Sequence, residues 1–232
     1  MEGQLNVQER SIITGWVETL QPEITLEVGT WLGGGSTLHI LKALDSNGRG
    51  HLWGVEASKI IYDRMIANIS SAGADLIGRF TPIFGFSQNV IPQFLAGLED
   101  EIQITFVFLD GGDNPMEQVE EFQLLRDSIP VGGIILSHDA KLRKGKWFVP
   151  YATAHDNWEC ILHDISAEGM LEARKIAPYP SEKSRINYTK LLKKMRMEPI
   201  EFLGRILPSS IIRMLLKIIP KSLVLKFTQG RA

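Results

Sequence analysis

Apolar positions along the chain follow two spacings. From Val7 to Leu20 the residues Ile12, Ile13, Trp16, Val17 and Leu20 fall three and four apart, and Gln21-Pro22-Glu23 closes the segment. That spacing predicts an entry helix with one buried face. Helix-type spacing returns over Leu38 to Leu44, Ile60 to Ala72 and Met116 to Ser128. Between these segments lie short apolar runs: Ile24-Thr25-Leu26, His51 to Glu56, Phe80 to Phe84, Ile104 to Asp110 and Val131 to Asp139. Ile104-Thr105-Phe106-Val107-Phe108-Leu109 is nearly all apolar, which predicts a central parallel strand covered on both faces. Strands alternating with helices predict an α/β fold with a doubly wound, mostly parallel sheet.

The last two runs break the alternation. Trp158 to Ile165 and Met170 to Ile176 are joined only by Ser166-Ala167-Glu168-Gly169, a hairpin signal, so two antiparallel strands end a seven-stranded sheet. From Ser181 the chain reads as helical with breaks at Pro199, Pro208 and Pro220, giving a body over 1–180 and a helical tail over 181–232.

The first strand leads into Leu26-Glu27-Val28-Gly29-Thr30-Trp31-Leu32-Gly33-Gly34-Gly35-Ser36-Thr37. Glycines at a strand-to-helix turn let backbone approach a ligand, Ser36 or Thr37 can cap the following helix, and helix N-terminal amides attract anionic groups. The spacing Gly29-x-x-x-Gly33 is not the G-x-G-x-x-G of dinucleotide-binding turns. A glycine-rich connection with no ligand is the plain reading of the same residues. Glu56 ends the second strand about twenty residues past the glycines, the spacing of an acid that accepts two ribose hydroxyls.

With Glu27 ahead of a wide glycine turn, the segment resembles the first motif of class I S-adenosylmethionine-dependent methyltransferases. Gly85-Phe86-Ser87-Gln88-Asn89 resembles the Gly-x-Ser-Gln-x segment of the catechol O-methyltransferase group, and Gly132-Gly133 before an apolar strand is typical of the same family. The resemblance spans about Val7 to Ile176 and implies a Rossmann-like sheet that binds S-adenosylmethionine. It assigns Glu27, Gly29, Trp31, Gly33, Ser36, Glu56, Phe86, Ser87 and Asp110 to the cofactor, with Phe86 flanking the adenine and Ser87 and Gln88 bonding to it. A strand-to-helix turn with Ser87 as N-cap explains that last segment equally.

On the acceptor side, the resemblance implies O-methylation of a small-molecule hydroxyl, phenolic or sugar-like, near two metal-binding aspartates that match Asp110 and Asp139. Two positions depart from the pattern: the metal-binding asparagine is Ala140, and the assisting lysine falls at Asp113. Two routes stay open. Asp110, Asp139 and His138 can hold Mg2+ or another divalent cation, with Asp113 or water completing the shell, or His138 can act as general base without metal. A scaffold that binds cofactor without catalysis is the reading from another class. Lys141, Arg143, Lys144 and Lys146, interleaved with Trp147, Phe148 and Tyr151, read as a basic, aromatic loop over the acceptor.

Composition adds less. The 232 residues are 44% hydrophobic, enough for one full core. The single cysteine, Cys160, allows no internal disulfide framework. No apolar run reaches the ~18 residues of a membrane span, and the N-terminus lacks a signal pattern, so a cytoplasmic protein is expected. Net charge is -2 but uneven: from Lys190 onward ten Lys and Arg face only Glu198 and Glu201, a local +8, leaving -10 for the rest. In that tail Ser209-Ser210 can cap an apolar helix over Ile211 to Ile219 that carries Arg213 and Lys217 on one face. Such a surface predicts a lid, a homo-oligomer contact or a peripheral membrane contact. No nucleic-acid-binding motif accompanies the basic residues.

Overall fold

A computed structural model describes residues 4–98 and 103–197. The chain divides into two compact units, Met1–Tyr188 and Thr189–Ala232. The prolines at 199, 208 and 220 and the capped helix expected over Ile211 to Ile219 lie outside the described residues.

The first unit opens with α1 (Val7–Leu20), followed by β1 (Ile24–Val28), α2 (Ser36–Ser46), β2 (His51–Glu56), α3 (Lys59–Ala72), α4 (Ala74–Gly78) and β3 (Phe80–Phe84). Its second half runs α5 (Ser87–Ala96), β4 (Ile104–Leu109), α6 (Glu117–Leu125), β5 (Ile134–His138), α7 (Gly145–Thr153), β6 (Trp158–His163) and β7 (Met170–Lys175). The last helix, α8 (Glu182–Met197), begins in the first unit and continues into the second.

The strands form one seven-stranded sheet in the order β3-β2-β1-β4-β5-β7-β6. The first five run parallel to one another; β7 runs antiparallel to both β5 and β6. β1 and β5 are buried throughout and β4 nearly so, as their unbroken apolar runs require. Because β1 pairs with both β2 and β4, the winding reverses there, and the crevice opens at the carboxyl ends of these strands.

One core joins Ile13 and Val17 of α1, Ile40, Leu41 and Leu44 of α2 and Met65 and Ile69 of α3 to Phe106, Phe108, Ile134 and Leu136 of the sheet. A second cluster centres on Phe122 of α6, whose ring meets those of Phe148, Tyr151, His155 and Trp158 edge-on. The segment expected as an aromatic loop is thus largely helix: Trp147, Phe148 and Tyr151 sit on α7 and are buried. Their four-residue spacing, Trp147 to Tyr151, is a helical face, and Pro150 inside the helix obscured it in the sequence. Histidines without a site role are placed structurally: His155 stacks on Tyr188 at 3.9 Å and meets the Tyr151 carbonyl through Nδ1 at 2.8 Å.

The start of α1 is held by a reciprocal cap. The Asn6 side chain accepts from the Glu9 amide at 2.9 Å, and Glu9 Oε2 accepts from the Asn6 amide at 2.8 Å. Replacing Asn6 with alanine is expected to cost about 1 kcal/mol, read as a lower urea midpoint; an unchanged midpoint would show that packing alone sets the helix start. Among the described residues no helix is long and apolar enough to cross a membrane.

Candidate active site

Five strand ends surround one cavity of about 590 Å³, lined among others by Val28, Gly29, Trp31, Glu56, Gly85, Phe86, Ser87, Asp110, Glu117, Glu121, His138, Asp139 and Lys144. This volume suits a small-molecule ligand.

The wall expected to take the cofactor begins where β1 ends. Gly29 has φ +89, and a Cβ there would lie 2.6 Å from the Asp110 carbonyl carbon and the Gly111 nitrogen. Its amide donates to the Val55 carbonyl at 2.9 Å and Asp110 N–H to the Val28 carbonyl at 2.8 Å, so three strand ends meet in backbone contact. Only glycine fits that approach. Trp31 follows in the left-handed region at φ 49, with its side chain half exposed on the cavity wall. Glu56 faces it from the end of β2: Oε2 accepts from the Trp31 amide at 3.1 Å and Oε1 from the Ser58 amide at 2.9 Å. Two main-chain donors therefore aim this carboxylate.

Glu27, Gly33 and Ser36 lie behind this wall. Gly33, at φ +80, closes a turn onto the Thr30 carbonyl and packs toward Ile69. Ser36 does not cap α2, whose N-cap is Gly35; its hydroxyl donates to Glu27 Oε1. Glu27 is fully buried, and its second oxygen has no partner. Burial pushes its pKa up to about 7, against the bonds from Ser36 and Thr37, with the charges of Asp110 and Glu56 adding to the rise.

At the end of β3, Phe86 is the N-cap of α5 and is strongly exposed at the cavity. Ser87 is again no cap: its hydroxyl donates to Glu121 Oε1 at 2.6 Å. Glu121, on α6, repeats the pattern of Glu27, with one oxygen unpartnered and burial pushing its pKa up to about 7 despite the Ser87 bond. Glu117, one turn earlier, is raised too, again by burial first.

The residues expected on the acceptor side gather at the ends of β4 and β5. Gln118 donates to the carbonyls of Leu109 at 3.4 Å and His138 at 3.2 Å, tying the two strand ends together. His138 Nδ1 lies 3.4 Å from Asp110 Oδ1 and 3.3 Å from Asp139 Oδ1, and Nε2 lies 3.2 Å from Glu9 Oε1. Burial opposes its charge, but bonds to Asp110 and Asp139 and the charges of those aspartates outweigh it and push the pKa up to about 10. Both ring nitrogens thus face carboxylates, an arrangement that favours the imidazolium. Asp139, at φ 60, is pulled down to about 2 by bonds from His138 and Lys144 that outweigh its burial.

The remaining partner was not singled out by the sequence. Lys144 Nζ lies 3.0 Å from Asp110 Oδ1, 2.5 Å from Asp139 Oδ2 and 3.3 Å from the Asp110 carbonyl. These carboxylates outweigh its burial and hold its pKa above the ordinary lysine value. Ligand atoms of Asp110, His138 and Asp139 all fall within 4.8 Å of one another, the convergence a metal site needs. As arranged, however, the residues do not fit a divalent cation: an ammonium already bridges the two carboxylates, Ala140 offers no side-chain ligand, and Asp113 lines the cavity outside the cluster.

A family model described as a methyltransferase domain matches residues 26–140, which contain the glycine turn, Glu56, Ser87, Asp110 and Asp139. The chain carries a methyltransferase domain with the class I, Rossmann-like fold. Its sheet order and reversed terminal hairpin are those of that fold. Solved structures resemble the methyltransferase at low identity. An O-methyltransferase from Bacillus cereus in complex with SAH is 19% identical, with TM-score 0.63 over 74% of this chain and 82% of that one. The O-methyltransferase TomG from Streptomyces achromogenes, involved in tomaymycin synthesis and in complex with SAM, is 16% identical, with TM-score 0.62 over 75% and 82%. A putative caffeoyl-CoA O-methyltransferase from Staphylococcus aureus is 10% identical, with TM-score 0.59 over 74% and 85%. No curated protein matches the sequence.

Two acids that stood out less in the sequence also reach these residues. Glu9 contacts His138 from α1, and Glu121 lines the cavity from α6. Their only sequence signals, a cap pattern and an acidic helix start, mark thousands of helices that carry no site.

Proposed function

We propose that this chain transfers the methyl group of S-adenosylmethionine to a hydroxyl of a small molecule. The observation that carries this reading is the division of one cavity into two chemically distinct ends: the aimed carboxylate of Glu56 beside the glycine turn, and the Asp110–Asp139 pair. The O-methyltransferases among the similar structures, two of them holding SAH or SAM, support the same assignment.

In the proposed reaction the acceptor oxygen attacks the methyl carbon in line with the sulfonium. A carbon–oxygen bond forms, the carbon–sulfur bond breaks with its electron pair going to sulfur, and S-adenosylhomocysteine leaves. The hydroxyl proton passes to the Asp110 carboxylate, which lines the cavity. His138, held between Glu9 and the two aspartates, orients that pair.

A divalent cation at Asp110, His138 and Asp139 is the second reading, favoured by the convergence of their ligand atoms. It requires Lys144 to leave its place.

Calorimetric titration with S-adenosylmethionine and S-adenosylhomocysteine tests the main reading. One molecule of either should bind per chain, and mass spectrometry should then find a methylated product among phenols and sugars incubated with the protein. Failure of both ligands to bind would remove the reading.

A further inference from the structure

We infer that the Lys144 ammonium is a built-in replacement for the divalent cation at the acceptor end of the cavity. Three observations, all geometric, lead there.

The first is occupancy. Lys144 Nζ touches both carboxylates that would have to bind a metal, and its side chain is only 11% exposed. It is not a surface lysine leaning on an acid; it is enclosed between the ends of β4 and β5. The second is the turn that delivers it. Asp139 adopts φ 60, its carbonyl accepts from the amides of Leu142 at 3.0 Å and Gly145 at 3.2 Å, and a Cβ on Gly145 would lie 1.9 Å from the Ala140 carbonyl oxygen. The chain thus folds back tightly from Asp139, and the lysine falls onto the carboxylate that began the turn. Such compaction needs glycine at 145.

The third is the exchange of ligand types. Position 140 carries a buried alanine that cannot ligate, and a cation enters four residues later. Loss of a metal ligand and gain of a fixed ammonium compensate each other: two carboxylates facing one another need positive charge between them, and either a metal or a lysine can supply it.

The replacement changes what an acceptor meets. A metal offers several open coordination positions and can chelate two neighbouring oxygens. An ammonium has three N–H donors. Two are committed to Asp110 and Asp139; the third, on the 3.3 Å contact to the Asp110 carbonyl, is the one an acceptor oxygen can take. The site is then built for a single hydroxyl, not a chelating diol. This statement about the acceptor rests on the methyl-transfer reading; the replacement of the metal does not.

Manganese titration of the full chain, followed by the paramagnetic resonance signal of free Mn2+, tests the inference. The natural protein should leave the signal undiminished at equimolar metal. Lys144→Met, which vacates the space between two carboxylates and His138, should bind one equivalent, and adding Asp139→Asn should abolish that binding. If methionine prevents folding, as circular dichroism would show, Lys144→Gln serves the same purpose. One equivalent bound by the natural protein and lost in Asp139→Asn would overturn the inference and favour the metal reading, with methyl transfer still standing. Failure of both folded lysine variants to bind metal would overturn it as well, since the lysine would then exclude nothing.

Discussion

Glu56→Ala is expected to weaken S-adenosylmethionine binding about a hundredfold, because two charge-assisted hydrogen bonds of about 1.5 kcal/mol each would be lost from one carboxylate. Glu56 ends β2 on the cavity wall, and the amides of Trp31 and Ser58 fix its orientation before any ligand arrives. A carboxylate held in this way can meet two hydroxyls without first losing rotamer freedom. The substitution should spare the fold, since both amides lie at exposed positions where water can replace the carboxylate. Calorimetry at constant pH measures the ratio directly. Equal affinity in the natural protein and the variant would move the ribose contact elsewhere. Glu56→Gln should fall between the two, keeping one acceptor oxygen.

The buried carboxylates give the second large effect, one of stability against pH. Glu121 has a folded-state pKa of about 7, above its ordinary 4.5, chiefly because burial penalises its charge. Its contribution to stability is therefore fully present below about pH 4.5 and is lost as pH rises through about 7. Glu27 behaves alike. His138 acts in the same direction at higher pH, losing its contribution as pH climbs from its ordinary 6.5 through about 10. His155 opposes them: burial pushes its pKa down to about 4, so its contribution is lost as pH falls from 6.5 through that value. The raw pH profile mixes these signs, but the difference between Glu121→Gln and the natural protein isolates one group. Relative to the natural protein, the variant should gain up to about 3 kcal/mol between pH 4.5 and pH 8, measured by urea unfolding without cofactor. A difference that stays constant across that range would mean that Glu121 does not titrate in the folded state.

Both effects come from residues of different legibility. Glu56 was visible in the sequence because a strand run of alternating and apolar residues ends on it, at a set distance from a glycine turn. Asp110 and Asp139 were visible for the same reason: a buried parallel strand delivers its last polar residue to the ligand edge, so an apolar run ending in an acid already states a position in space. Glu121 carries no such mark. It sits in a helix start with Glu117 and Glu120, where acids are common, and only its packing behind Ser87 removes water from it.

The same division separates the right and wrong expectations for the segment after β5. Four basic residues and three aromatics suggested a loop over the acceptor, but the aromatics form the buried face of α7 against Phe122. Of the four cations, Lys144 alone joins the acidic pair of the site, while Lys141 bonds to Asp164 and to the Ser166 carbonyl. Nothing in residue type distinguishes them; a turn of one conformation does. Likewise Ser36 and Ser87 looked like helix caps by position, yet each donates to a buried glutamate instead. An uncapped helix end at the cavity can find other partners, whereas a buried carboxylate oxygen with no donor is costly, and that cost decides where the hydroxyls point.

The sequence by itself therefore determined the succession of strands and several of the helices between them, the reversed hairpin, the glycine turn and the three acids at strand ends, because periodicity and local turn chemistry are short-range properties. Only the tertiary structure decided which cation stands between Asp110 and Asp139, that His138 lies among three carboxylates, and that Glu27 and Glu121 are buried. Each of those depends on groups from separate elements excluding water around a charge, and no local pattern records that.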